Sequence, residues 1–173
     1  MAWISAAVMA HPSRLRQAEA LRDRHPDLGL QIVSDTDAGR GHSLGTALRA
    51  WGAVAPDAAH HLVVQDDCLL CEGFADLLLA AVTARPADAL CFFTEWGSRT
   101  ADALRLAALE GPAWTPALDI YVPTLAAVLP AAVARGFAQS CADAGEFPDG
   151  RDSLPSPSRP ERIQVPAMPS RMP

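Results

Sequence analysis

Along the chain, short apolar runs alternate with longer stretches in which apolar residues recur every three or four positions. The first run, "WISAAVM" (3–9), is bounded by a His-Pro pair and predicts a strand. "SRLRQAEALRDRH" (13–25) sets Leu15, Ala18 and Leu21 at helical spacing, with Ser13 placed to cap the helix. "LGLQIVSD" (28–35) predicts a second strand, and "SLGTALRAWGAVA" (43–55) a second helix whose apolar face is Leu44, Ala47, Leu48 and Trp51. "HHLVVQ" (60–65) follows as a third strand, then "GFADLLLAAVTAR" (73–85) as a helix stopped by Pro86. "DALCFFTE" (88–95) predicts a fourth strand, and "SRTADALRLAALE" (98–110) a helix or a partly ordered loop. "ALDIYVP" (117–123) reads as a short strand. Residues 124–144 read as mainly helical, with Pro130 kinking the helix or starting it afresh.

Strand and helix thus alternate four times, which predicts an α/β layered fold with a mostly parallel sheet. From about Phe147 the pattern stops: seven prolines fall within the last 27 residues. Such a stretch lacks the apolar content for a packed core and is expected to be extended or disordered. The expected organisation is one domain over 1–146 and a Pro-rich tail over 147–173.

Composition narrows the function classes. With 173 residues, half of them hydrophobic, one domain with a sizeable core is affordable. The net charge of −6 argues against nucleic-acid or anionic-membrane binding, both of which need a basic face. All 14 basic residues are Arg, so any mechanism that requires a lysine is excluded. No run reaches the ~20 apolar residues of a membrane span. The N-terminus lacks a basic leader and reads as a strand rather than a signal peptide. Of the four cysteines, Cys68 and Cys71 form one C-x-x-C with no second ligand pair, so unreactive reduced thiols are favoured over zinc or redox chemistry. A cytoplasmic protein is the expectation.

In parallel α/β sheets ligands gather outside the carboxyl ends of the strands. Here those ends carry His11 and Arg14 after the first strand, and Asp35, Asp37 and Arg40 after the second. Asp66 and Asp67 follow the third, and Glu95 and Trp96 the fourth. Two adjacent carboxylates repel each other, and a divalent cation would remove the conflict. Mn2+ and Mg2+ suit carboxylate and phosphate oxygens and take only one or two protein carboxylates. "VVQDD" therefore fits a metal–diphosphate site. In "SDTDAGRGHS" the glycine turn and helix start offer backbone N–H groups to a phosphate or a base edge. It is neither a P-loop nor a dinucleotide fingerprint: there is no G-K-S/T, and Gly39, Gly41 and Gly45 are spaced G-x-G-x-x-x-G. Each motif also has a plain reading, as solvated turn acids, a capped connection or a solvated histidine.

The assembled pattern resembles the nucleotide-sugar glycosyltransferases of the GT-A fold over about residues 1–135. The likeness rests on "AAVMAHPSR", "LQIVSDTDAGRG", "SLGTALRAW" and "HHLVVQDDCLLCEGF", with Gln65-Asp66-Asp67 standing where the family usually has Asp-x-Asp. The resemblance implies a Rossmann-like three-layer sandwich that takes a UDP- or GDP-type sugar donor and an unidentified acceptor. Asp67, with Asp66, would hold Mn2+ or Mg2+ against the diphosphate. Asp35 would sit near the base or ribose, and Ala10, His11, Arg14 and Gly41 would line the nucleotide pocket. Glu95 is the first candidate for the base that deprotonates the acceptor, with Trp96 beside it to stack on a sugar, and Asp119 and Glu146 are weaker candidates. Two rivals stand beside this: a catalytically inactive binding module of the same fold, and a haloacid-dehalogenase-type phosphatase with Asp35 as nucleophile and Asp37 as acid/base.

Overall fold

The computed structural model describes residues 3–34, 43–111, 114–119, 124–143 and 163–166. Strand β1 (Ile4–Ala10) leads through a 3-10 turn (Pro12–Arg14) into helix α1 (Leu15–Arg24). Strand β2 (Gln31–Ser34), helix α2 (Ser43–Gly52), strand β3 (His60–Gln65), helix α3 (Phe74–Ala84) and strand β4 (Ala89–Cys91) follow. Helix α4 (Arg99–Glu110), strands β5 (Trp114–Pro116) and β6 (Ala126–Pro130), helix α5 (Ala131–Asp143) and strand β7 (Ile163–Pro166) complete the described chain. The seven strands form one sheet in the order β2-β1-β3-β6-β4-β7-β5.

Alternation along the central strands explains the layering. In β1, Ala6, Val8 and Ala10 face one side, where α1 brings Ala18 and Leu21 and α3 brings Phe74, Leu78 and Val82. Leu62 and Val64 of β3 and Val128 of β6 join that cluster. The intervening residues, Ala7, Val63 and Ala127, face the other side and meet Ala50 and Trp51 of α2 and Ala134 of α5. Trp51 is held edge-to-face by Phe137, with ring centroids 6.2 Å apart. Strands covered on both faces read as unbroken apolar runs, which is why β1 shows little alternation in its sequence.

The fold is α/β, as expected, but the sheet is mixed rather than mostly parallel. β1 runs parallel to both β2 and β3, whereas β6 is antiparallel to both β3 and β4. β7 is parallel to β4 and antiparallel to β5. The segment 126–130, expected to be helical, is instead this central antiparallel strand. A short apolar run buried on both faces has no period that separates strand from helix. Pro130 marks the change: it ends the strand, and α5 begins at the next residue. Of the strand expected over 117–123, residues 117–119 are not in a strand and 120–123 lie outside the described residues; a strand, Trp114–Pro116, stands just before them. Within the Pro-rich stretch, Ile163–Pro166 is a strand seated between β4 and β5. The sheet therefore draws on residues beyond the 1–146 expected to form it.

Candidate functional site

Register brings several strand ends to one edge. Ala10 of β1 pairs with Ser34 of β2, and Met9 pairs with Gln65 of β3. Val64 and Cys91 lie opposite neighbouring residues of β6, Ala126 and Ala127. β1, β2, β3 and β4 therefore all point the same way, and residues 11–14, 66–67 and 92–96 leave from the same edge.

The chain leaves β1 through His11, which is extended at φ −75° and ψ 140° and caps the following turn. Its Nδ1 accepts from the backbone N–H of Ser13 at 3.2 Å. Pro12 is pre-set for the start of the turn, and the Arg14 N–H closes it on the His11 carbonyl at 2.8 Å. This turn swings Arg14 back across the edge toward β3. There the Asp66 N–H is still bonded to the Met9 carbonyl, at 3.1 Å, so Asp66 stays beside β1.

Asp66 is the centre of the arrangement. Its Oδ2 accepts from the backbone N–H of His11 at 2.7 Å. Arg14 donates from Nε to Oδ1 at 2.9 Å and to Oδ2 at 3.0 Å. The Asp66 side chain is 1% exposed and that of Arg14 47% exposed. A buried carboxylate is tolerable only when paired and hydrogen-bonded, and this one is both. The contact holds the Arg14 guanidinium above its already high pKa, chiefly through the Asp66 hydrogen bond; burial opposes this, and the charges of Asp66 and Asp67 add to it.

Asp67 has the opposite surroundings. It is exposed in the turn that follows β3, which the Cys68 N–H closes on the Gln65 carbonyl at 3.1 Å. The expected conflict between the two acids is thus already relieved: one is neutralised by Arg14 and the other stands in water. As a pair they do not fit a metal site, because the Asp66 side chain is 1% exposed and both of its oxygens face the Arg14 Nε–H. Asp67 alone fits, as one carboxylate that would share a cation with phosphate oxygens. Among the described residues no group of three or more His, Cys, Asp or Glu side chains converges.

The other candidates separate clearly. Ala10 is buried in the core, so anything it offers a ligand comes from its backbone. Glu95 is exposed beyond β4, in a turn that the Ser98 N–H closes on the Glu95 carbonyl at 3.1 Å. Trp96 is 84% exposed, with the Arg105 guanidinium 4.0 Å over its ring. Asp119 caps α4: it accepts from the N–H of Thr100 at 2.8 Å, from the Thr100 hydroxyl at 2.5 Å and from the N–H of Arg99 at 3.3 Å. The Thr100 hydroxyl, then the backbone N–H groups, hold its carboxyl below the ordinary range, which makes it a poor general base. Asp35, Asp37, Arg40, Gly41 and Glu146 lie outside the described residues.

Cys68, Cys71 and Cys91 are free thiols. Burial, then the charge of Asp67, pushes the Cys68 thiol up, and burial does the same to Cys91. Thiols raised in this way are poor nucleophiles at neutral pH.

The Arg14–Asp66 pair was not anticipated as a unit. Its signal was present, as opposite charges just beyond two strands, but the pairing required knowing that β1 and β3 are neighbours.

The opposite edge holds the other polar doublet of β3. His61 is fully buried; its Nε2 lies 2.8 Å from the Ala50 carbonyl and its Nδ1 2.8 Å from the Ser5 hydroxyl. A carbonyl can only accept, so Nε2 carries the proton and Nδ1 accepts from Ser5. Burial lowers the His61 pKa most strongly, the backbone of Ala50 and then that of Ser5 oppose this, and the nearby charge of Arg135 lowers it further. His60 donates from Nε2 to the Pro86 carbonyl at 2.9 Å, and its buried Nδ1 has no partner among the described residues.

The chain matches no known family model and no curated protein.

Proposed function

We propose that the chain binds a nucleoside-diphosphate sugar at the carboxyl edge of its sheet and transfers the sugar to an acceptor, as a glycosyltransferase of GT-A type. The observation that carries this reading is the convergence of Arg14, fixed by Asp66, with exposed Asp67 at the edge where β1, β2, β3 and β4 all end. A guanidinium supplies paired donors for phosphate oxygens. Asp67 would hold Mn2+ or Mg2+ against the diphosphate, and the bound cation supplies neutralisation of the charge that develops on the departing nucleoside diphosphate. Helices on both faces of the sheet support the Rossmann-like part of the proposal. Glu95 is the base, reaching the acceptor hydroxyl from the loop after β4, where Trp96 offers a stacking surface.

Calorimetry with UDP-glucose and a GDP-sugar, with and without Mn2+, tests the donor site. Binding that strengthens with Mn2+ in the wild type and loses that gain in Asp67→Asn is expected. Undiminished Mn2+-dependent binding in Asp67→Asn would remove the metal role from this residue.

A binding module without turnover is favoured by one observation: Asp119, a spare base candidate, is committed to capping α4. Nucleotide binding with no sugar release, unchanged by Glu95→Gln, would decide for it. The phosphatase reading depends on Asp35 and Asp37, and loss of Mg2+-dependent phosphate release in Asp35→Asn would be its support.

A further inference from the structure

We infer that Asp66 is a positioning residue for Arg14 and does not hold a cation, so that the two acids after β3 divide their work. Asp66 fixes the guanidinium that receives anionic oxygens, and Asp67 alone makes the metal contact. This rests on the proposed nucleoside-diphosphate site and refines it.

Burial and the ion pair with Arg14 both count against Asp66 as a ligand. A carboxylate offers about four lone-pair positions. Here both oxygens accept from Arg14 Nε, and Oδ2 also accepts from the His11 N–H. The side chain is 1% exposed, so a cation would have to displace the guanidinium and break into the junction of β1 and α1. Removing an ion-paired arginine from a buried carboxylate in this way is unfavourable.

The same geometry prepares Arg14 for an anion. Nε carries one of the five guanidinium N–H groups, and the other four sit on the terminal nitrogens. Asp66 takes the Nε donor, while the side chain as a whole remains 47% exposed at the carboxyl edge. An arginine already held in one rotamer loses less freedom when a ligand arrives. The backbone bond from His11 to Oδ2 fixes the carboxylate in turn, so the chain of contacts begins in the main chain of β1. Among the described residues Asp67 has no such tie: it is exposed in the turn, and Arg14 and Cys68 sense its charge.

The test is calorimetry on the full chain with UDP and with inorganic pyrophosphate, each with and without Mn2+. It compares the wild type with Arg14→Ala, Asp66→Asn, the double variant and Asp67→Asn. Arg14→Ala and Asp66→Asn are each expected to weaken metal-free pyrophosphate binding about tenfold or more, the scale of one charge-assisted contact. The double variant should bind no more weakly than Arg14→Ala. The strengthening produced by Mn2+ should persist in all three and vanish only in Asp67→Asn.

Loss of the Mn2+ gain in Asp66→Asn would overturn the inference. So would variants of Arg14 and Asp66 that melt lower yet bind pyrophosphate as tightly as the wild type, because Asp66 would then be structural only. If Asp66→Asn does not fold, Arg14→Ala decides: an unchanged Mn2+ gain supports the assignment, and an increased one shows that the released Asp66 takes the metal. A wild type that binds neither UDP nor pyrophosphate under any condition refutes the nucleoside-diphosphate site itself, a result distinct from the variant patterns above.

Discussion

Strand β3 begins with two histidines and ends against two aspartates, and the two doublets are treated differently. At the amino end both side chains are taken inside. His61 is neutral and bonded on both ring nitrogens, and His60 is bonded through one. At the carboxyl end one acid is buried as an ion pair and its neighbour is left in water. A neutral imidazole can be buried whole once its nitrogens find partners, whereas a carboxylate needs a countercharge. Among the described residues the countercharge paired here is the Arg14 guanidinium, and Asp66 takes it. Asp67 is left exposed in the turn.

The largest effect should come from breaking the carboxyl end. Asp66→Ala leaves the Arg14 guanidinium and the His11 N–H without their acceptor. The expected loss is about 2–3 kcal/mol, discounted because Arg14 is half exposed, and urea unfolding at pH 7 measures it. At the amino end, His61→Leu keeps the bulk but removes one partner each from the Ala50 carbonyl and the Ser5 hydroxyl, which keep the Ala53 N–H and the Ala55 N–H. A loss of about 1–2 kcal/mol is expected in the same assay, and an unchanged midpoint would mean those two bonds contribute nothing.

A gentler perturbation is acid. The folded state lowers the His61 pKa below its ordinary value near 6.5, so below that pH the unfolded chain binds more protons than the folded one. The His61 contribution is therefore complete above about pH 6.5 and is lost as the pH falls below it. The unfolding midpoint should drop between pH 7 and 5.5, and the drop should be shallower in His61→Leu. Equal slopes in the two proteins would remove His61 as the source. Smallest is Asp67→Asn, expected to shift stability by less than about 0.5 kcal/mol because the side chain is exposed. A larger loss would mean that Asp67 has a structural partner, and the contrast between the two ends of β3 would fail.

Much of the first half of the fold was legible locally. The expected strand over 60–65 coincides with β3, the helix expected over 73–85 matches α3 to within a residue at each end, and 98–110, read as a helix or a partly ordered loop, is helix α4. These segments carry their own signals: Pro86 beyond α3, and Ser98 as the cap of α4, accepting from the Ala101 N–H at 3.0 Å. Segment 126–130 was misread because its conformation depends on its neighbours. Ala126, Ala127 and Val128 are buried in a strand between β3 and β4, and nothing in an Ala-Val-Leu run encodes that placement. The β7 segment was hidden for the same reason, since its partners β4 and β5 are distant in sequence.

The sequence by itself determined the alternation of strands and helices, and with it the edge at which His11, Arg14, Asp66 and Asp67 emerge. Periodicity and caps are local, and parallel neighbours joined by helices must end on the same side. Only the tertiary structure decided that β6 runs against its neighbours, and that Asp66 belongs to Arg14 while Asp67 belongs to the solvent. Strand direction is set by where a run finds buried partners. The role of a charge is set by which opposite charge and how much water the folded chain brings to it.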